Sequence, residues 1–230
     1  MTKANGLHHL ALTTADIKRQ IEFFSDVLGM ELVALYWMHG VEGAWHGFLR
    51  LNDRASIAFV QTPEIGKIDS TLGVTHAGSP AAPSAAGTMQ HLALNVDTEA
   101  ELFTLRDRIR SRGINVLGPI DHGMCKSIYF AGLENVALEI ATSAAPIDAD
   151  AWIDPEVVAL AGISAEELDR YRRPAAYAGE GGAVAQPPFH PAKPHLAFPP
   201  EQYRYMLTLS DEEFTRMMSQ PEPPVKRAAA

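Results

Sequence analysis

The feature that most constrains how this chain can fold is an echo of itself. Residues 7–12 read Leu-His-His-Leu-Ala-Leu and residues 89–94 read Met-Gln-His-Leu-Ala-Leu, sharing His-Leu-Ala-Leu. A fixed internal repeat signals one supersecondary unit used more than once, with neighbouring copies burying each other's apolar faces. The segment after each hexapeptide also repeats. After the first, Asp16 can cap a helix whose apolar positions Ile17, Ile21, Phe24, Val27 and Leu28 recur at helical spacing, and Gly29 supplies a stop. After the second, Asp97 or Thr98 caps a helix carrying Leu102, Leu105 and Ile109, stopped by Gly113.

Three strand-like runs come after each helix: 30–37, 43–51 and 56–61 in the first copy, and 114–117, 126–130 and 136–141 in the second. The expected fold is α+β: two β-α-β-β-β modules, plus an irregular, partly helical C-terminal arm. The boundaries read as a first module over 1–62, a linker rich in Pro, Gly, Ser and Ala over 63–87, a second module over 88–144 and the arm over 145–230. Within the arm, Ser164 with Glu167 and Ser210 with Glu213 fit capping boxes and predict short helices. The arm reads first as a wrap around the core or a partner subunit. A sharper reading makes it a lid, with Phe189, His190, His195 or Phe198 facing substrate.

Composition narrows the partners. A net charge of −9 argues against nucleic acid or anionic lipid, which are bound through dense Lys and Arg surfaces. Arg106, Arg108, Arg110 and Arg112 come after two glutamates on the second helix and are expected to solvate its outer face. No apolar run reaches the roughly 20 residues that a membrane span needs. The start has no apolar segment behind Lys3, and Cys125 is the one cysteine, so a cytoplasmic location is expected.

Strand alternation then sorts residues into rows. In the first strand, Leu10 and Leu12 share one face, and His9, Ala11 and Thr13 the other. In the second copy Leu92, Leu94 and Val96 form the apolar row, opposite His91, Ala93 and Asn95. In the last strand Val136, Leu138 and Ile140 face the helices, while Ala137, Glu139 and Ala141 face away. A carboxylate between two alanines in an apolar strand needs a cation or a proton if it is buried. Two imidazoles and one carboxylate make a facial triad with positions left open for substrate. His9, His91 and Glu139 are therefore the candidate metal ligands, and His8 reads as an ordinary histidine of the other face.

At this point the chain resembles the vicinal oxygen chelate superfamily, over about residues 6–142. That resemblance implies two modules forming a cupped, incomplete barrel around a metal site, with ligands from the first strand of each module and from the last strand: His9, His91 and Glu139. Glyoxalase-like relatives add a ligand from the last strand of the first module, where this chain has Ser56-Ile-Ala-Phe-Val60 and no acid. The three-ligand set resembles type I extradiol ring-cleaving dioxygenases. Their signature is similar to Asp121-His-Gly-Met-Cys-Lys-Ser-Ile-Tyr-Phe130, with Glu139 ten residues beyond Tyr129. The resemblance then implies that His122 and Tyr129 hydrogen-bond a substrate oxygen, that the metal is Fe(II) with Mn, Zn or Ni as alternatives, and that the partners are a small aromatic substrate and dioxygen in a homo-oligomer. Two departures stand out. Gly132-Leu-Glu-Asn135 replaces the usual turn before the glutamate, and Arg54-Ala55 stands where those enzymes carry an acid–base histidine. His46 and His76 are the candidate substitutes. The alternative readings are a metal-dependent lyase, isomerase or hydrolase, and a ligand-sequestering resistance protein.

Overall fold

The computed structural model describes residues 3–226, which fall into two compact units. The larger comprises 5–38 and 43–174. It begins with β1 (His9–Thr13), α1 (Ile17–Asp26), β2 (Glu31–Trp37), β3 (Trp45–Asn52) and β4 (Ala55–Gln61). The order then recurs as β5 (Leu92–Asn95), α2 (Glu99–Ser111), β6 (Val116–Asp121), β7 (Lys126–Ala131) and β8 (Ala137–Thr142). Each set makes one four-stranded mixed sheet, ordered β1-β4-β3-β2 and β5-β8-β7-β6. The first and last strands of each set pair parallel, the rest antiparallel. The sheets are separate and do not close into a barrel.

Local chemistry explains the helices. The Asp16 carboxylate accepts the Arg19 N–H at the start of α1, and Ile17 and Phe24 on its inner face are buried. Thr98 and Glu101 form a reciprocal capping box at α2, which buries Leu102 and Ile109. Gly29 and Gly113 both take the left-handed conformation expected of residues that end a helix. One apolar cluster joins the two sets, running from Ile17, Phe24, Leu49, Ile57 and Phe59 through Leu92, Leu102, Ile109, Ile128 and Leu138 to Ile140. At roughly 1.5–3 kcal/mol for each large apolar side chain removed from water, this shared core is what binds the modules.

Polar contacts reinforce the join. The arginines of α2 do not all solvate its outer face: Arg108 donates to the carbonyls of Ser25, Asp26 and Val27 at the end of α1, and Arg112 pairs with Asp26 at 2.9 Å. A helix C-terminus offers unsatisfied carbonyls and partial negative charge, and a guanidinium answers both. From the other side, Glu134 in the β7–β8 turn accepts the Ala15 N–H and the Gln20 amide, each at 2.8 Å.

The strand expected to stop at Leu117 instead runs to Asp121, through Gly118-Pro119, with a shift of register between Leu117 and Ile120. Proline is tolerated because β6 is an edge strand and the pairing is irregular there. The segment between the modules carries one short 3-10 turn, Ile65–Lys67. Beyond β8, α3 (Ala149–Trp152), α4 (Pro155–Leu160) and α5 (Ala165–Arg172) belong to the larger unit. The other unit contains residues 39–42 and 175–226, with α6 (Pro200–Met206) and α7 (Asp211–Met218). Capping boxes open α5 at Ser164 and α7 at Ser210, as expected.

Candidate metal centre

Cross-strand register puts the second module's polar residues on one face. Glu139 pairs with Ala93 on β5 and with Tyr129 on β7, so the three side chains share the face opposite the apolar row. His91 immediately precedes β5, and its Nε2 lies 2.8 Å from Glu139 Oε2. Glu139 is 6% exposed, in a strand that is otherwise apolar. Tyr129 Oη lies 3.0 Å from His122 Nε2, and the rings of His91 and Tyr129 are 6.4 Å apart. Burial of the Tyr129 hydroxyl, reinforced by the nearby Glu139 carboxylate, pushes its pKa above the ordinary value of 10 and keeps the phenol protonated. His122 sits in the β6–β7 turn, where its N–H donates to Cys125 O and Trp152 of α3 packs against Gly123.

His91 has a second partner, which strand alternation does not reveal. Its Nδ1 contacts Gln90 Oε1, while Gln90 Nε2 donates to the carbonyls of Ser79 at 3.2 Å and Pro80 at 2.6 Å. Gln90 stands inside the repeated hexapeptide, in the place where the first copy has His8. That correspondence is the signal in the sequence that could have found it.

The first module's sheet carries the matching face with different chemistry. Ala11 pairs with Ala58, and Ala58 with Phe48. Counting from His9 and His91, Ala58 therefore occupies the place of Glu139, and Phe48 that of Tyr129. His9 is exposed, its Nδ1 is 2.9 Å from His8 Nδ1, and its ring lies 5.5 Å from Phe48 and 6.4 Å from His46. Tyr36, His46 and Phe48 continue the face, with the Tyr36 and Phe48 rings stacked at 6.3 Å. His46 Nε2 is buried without a hydrogen-bond partner. Burial, and then the neighbouring His9, lower the His46 pKa below 6.5.

His91, Glu139, Tyr129 and His122 thus come together, while His9 and His46 meet on the other sheet. Among the described residues, no three His, Cys, Asp or Glu side chains stand close enough to hold one metal ion. His76 is bonded to Ser70 and Thr75 in the linker. Phe189, His195, Phe198 and Tyr203 pack on one another in the smaller unit.

The donor set can nevertheless be tested against a cation. The Gln90 amide oxygen only accepts, so His91 Nδ1 carries the hydrogen, and Nε2 then meets a carboxylate oxygen at 2.8 Å. An imidazole nitrogen and a carboxylate oxygen at that separation are two donors that one cation can share. The pair fits as two ligands, with its imidazole oriented from behind.

The chain is similar to several known proteins. Over 156 residues the chain is 27% identical to biphenyl-2,3-diol 1,2-dioxygenase 2 of Rhodococcus globerulus, covering 67% of this chain and 72% of that protein. Among solved structures, a glyoxylase/bleomycin resistance protein/dioxygenase domain from Frankia sp. EAN1pec is 16% identical, with a TM-score of 0.47, covering 61% of this chain and 99% of that one. The fosfomycin resistance protein FosX of Listeria monocytogenes, complexed with Mn(II) and sulfate, is 18% identical, with a TM-score of 0.42, covering 62% and 95%. The family model that matches residues 6–140 spans both modules, and the chain belongs to the glyoxalase/bleomycin resistance protein/dioxygenase superfamily.

Proposed function

We propose that this protein is a non-haem Fe(II)-dependent dioxygenase of the extradiol type, opening a catechol-like ring with dioxygen. The observation that carries the reading is the linked set on the second sheet: His91 against buried Glu139, with Tyr129 beside them and His122 bonded to the tyrosine. The aromatic face of Tyr36, His46 and Phe48, and the aromatic diol named for the Rhodococcus globerulus relative, support the substrate class. His91, Glu139 and His9 would hold the metal, with His9 joining from the first sheet. When bound, Fe(II) supplies a Lewis acid that gathers the diol and dioxygen and eases loss of a hydroxyl proton.

The chain's own groups do the rest. Tyr129, kept protonated, donates a hydrogen bond to a substrate oxygen, and His122 accepts or returns a proton through it. Ala93 and Ala141 beside the ligands leave room for the ring. His46, neutral near pH 7 and with Nε2 unbonded, is the acid–base candidate on the facing chemistry, in place of the histidine missing at Ala55. His76 is a weaker one, since its Nδ1 is already engaged. Apolar residues exposed on the edge strands, Leu35 and Trp37 on β2 and Leu117 on β6, support a homo-oligomer. Among the described residues no helix is long and apolar enough to cross a membrane, and Cys125 is a free thiol; a cytoplasmic location is part of the proposal.

Metal content of protein from unsupplemented cells, combined with oxygen uptake over a panel of catechols and hydroquinones, tests the reading. Iron-dependent uptake with at least one catechol is expected, abolished in His9→Ala, His91→Ala and Glu139→Ala. Tyr129→Phe should keep metal and fold and lower kcat about 100-fold. Iron binding without uptake of any diol would leave the second reading, a lyase, isomerase or hydrolase using Zn, Mn or Ni, which the absent histidine at Ala55 favours. Ligand binding that survives His91→Ala would point to sequestration instead.

A further inference from the structure

We propose that Gln90 is a positioning residue, which holds the His91 imidazole by Nδ1 so that Nε2 is the nitrogen presented to a cation. The inference rests on the reading of His91 as a ligand. Its first leg is the direction of the amide. Gln90 Nε2 faces two backbone carbonyls, Ser79 O and Pro80 O, and an oxygen in that place would confront two acceptors. The amide is therefore fixed with Oε1 on the imidazole, and the acceptor fixes the hydrogen on Nδ1.

The second leg is the repeat. In the first copy the residue before the candidate ligand also reaches that ligand's Nδ1, since His8 Nδ1 lies 2.9 Å from His9 Nδ1. In both modules the side chain at this place meets Nδ1 of the next histidine, and in the second module the other ring nitrogen, Nε2, faces Glu139. A relation kept while the residue type changes between copies is a relation of position. It also assigns work to the linker: residues 79 and 80 supply the carbonyls that orient Gln90, which orients His91, which meets Glu139.

Partners of this kind typically contribute 10–100-fold to metal affinity, by fixing ring orientation and raising basicity. The test uses the full chain with Zn(II) as the probe, titrated against a competing chelator, in wild type, Gln90→Leu and Gln90→Glu. Nitrogen-15 spectra of the histidine rings are recorded alongside. Gln90→Leu should bind Zn(II) about 10–100-fold more weakly, and its His91 Nδ1–H signal should vanish into solvent exchange. Gln90→Glu keeps an acceptor for Nδ1 but turns its second oxygen on the Ser79 and Pro80 carbonyls, so both readings should fall between those of wild type and Gln90→Leu. An affinity in Gln90→Leu within about twofold of wild type, with the Nδ1–H signal intact, would overturn the proposal. Should wild type take no Zn(II), the ligand reading of His91 fails by itself. The ring signal of the metal-free protein then decides on Gln90: presence in wild type with loss in Gln90→Leu upholds it, and absence in wild type ends it.

Discussion

His46 shows what a single residue can report about this face. Its imidazole is partly desolvated and lies near His9, so the charged form is disfavoured in the folded chain and the pKa falls below 6.5. The unfolded chain then binds the proton more readily. Stability linked to this group is complete above about pH 6.5 and is lost as the pH falls through that value. The thermal midpoint should decline between pH 7.5 and pH 5, and the decline should be shallower in His46→Phe; equal slopes would sever His46 from the effect. Residue-scale reading recovered the rows of the strands well, because alternation is a geometric property of any strand: Glu139 and His91 do meet on the face opposite Leu138 and Leu92. It missed Gln90, whose place opposite His8 in the repeat was visible but whose two anchors, backbone carbonyls of a linker, have no sequence signature.

At the level of elements, every strand was expected and α3, α4 and α6 were not, but the helix starts that were read were placed more closely than strand ends. Asp16, Thr98, Ser164 and Ser210 each declared a helix start through side-chain chemistry confined to one turn. Strand ends depend on distant partners, which is why β6 outran its expected stop at Leu117. The β7–β8 turn is the element most exposed to test. Glu134 and Asn135 both have positive φ, at 53° and 65°, where glycine or asparagine is the usual occupant. Glutamate persists there while its carboxylate bridges to Ala15 and Gln20 of the first module, and Asn135 donates to Ser70 of the linker. Glu134→Ala should cost about 1–2 kcal/mol in urea unfolding, through the lost hydrogen bonds. Glu134→Gly, free of the left-handed penalty, should recover about 1 kcal/mol of that loss; a Glu134→Ala variant as stable as wild type would show that the bridge contributes nothing.

Across the whole molecule, duplication was legible because it left the same hexapeptide core twice, and the two sheets result directly. Less legible was where the modules end. Residues 145–174 read as the start of an arm, yet they belong to the same compact unit as the sheets, and Trp152 lies against Gly123 next to His122. A ring packed on a glycine leaves no trace in periodicity or spacing. Trp152→Ala should lower stability by only about 1 kcal/mol while shifting the ring signals of His122 and Tyr129 in the folded protein; unaltered signals would confine that segment to scaffolding.

The replacement of Glu139 by Ala58 in the other half has a consequence for whatever this scaffold receives. The backbone is doubled, but charge is not: one wall is acidic and hydroxyl-bearing, the other aromatic. Whatever lies along one half meets a carboxylate and a phenol, and along the other stacked rings, so the two halves of a doubled backbone cannot recognise the same group.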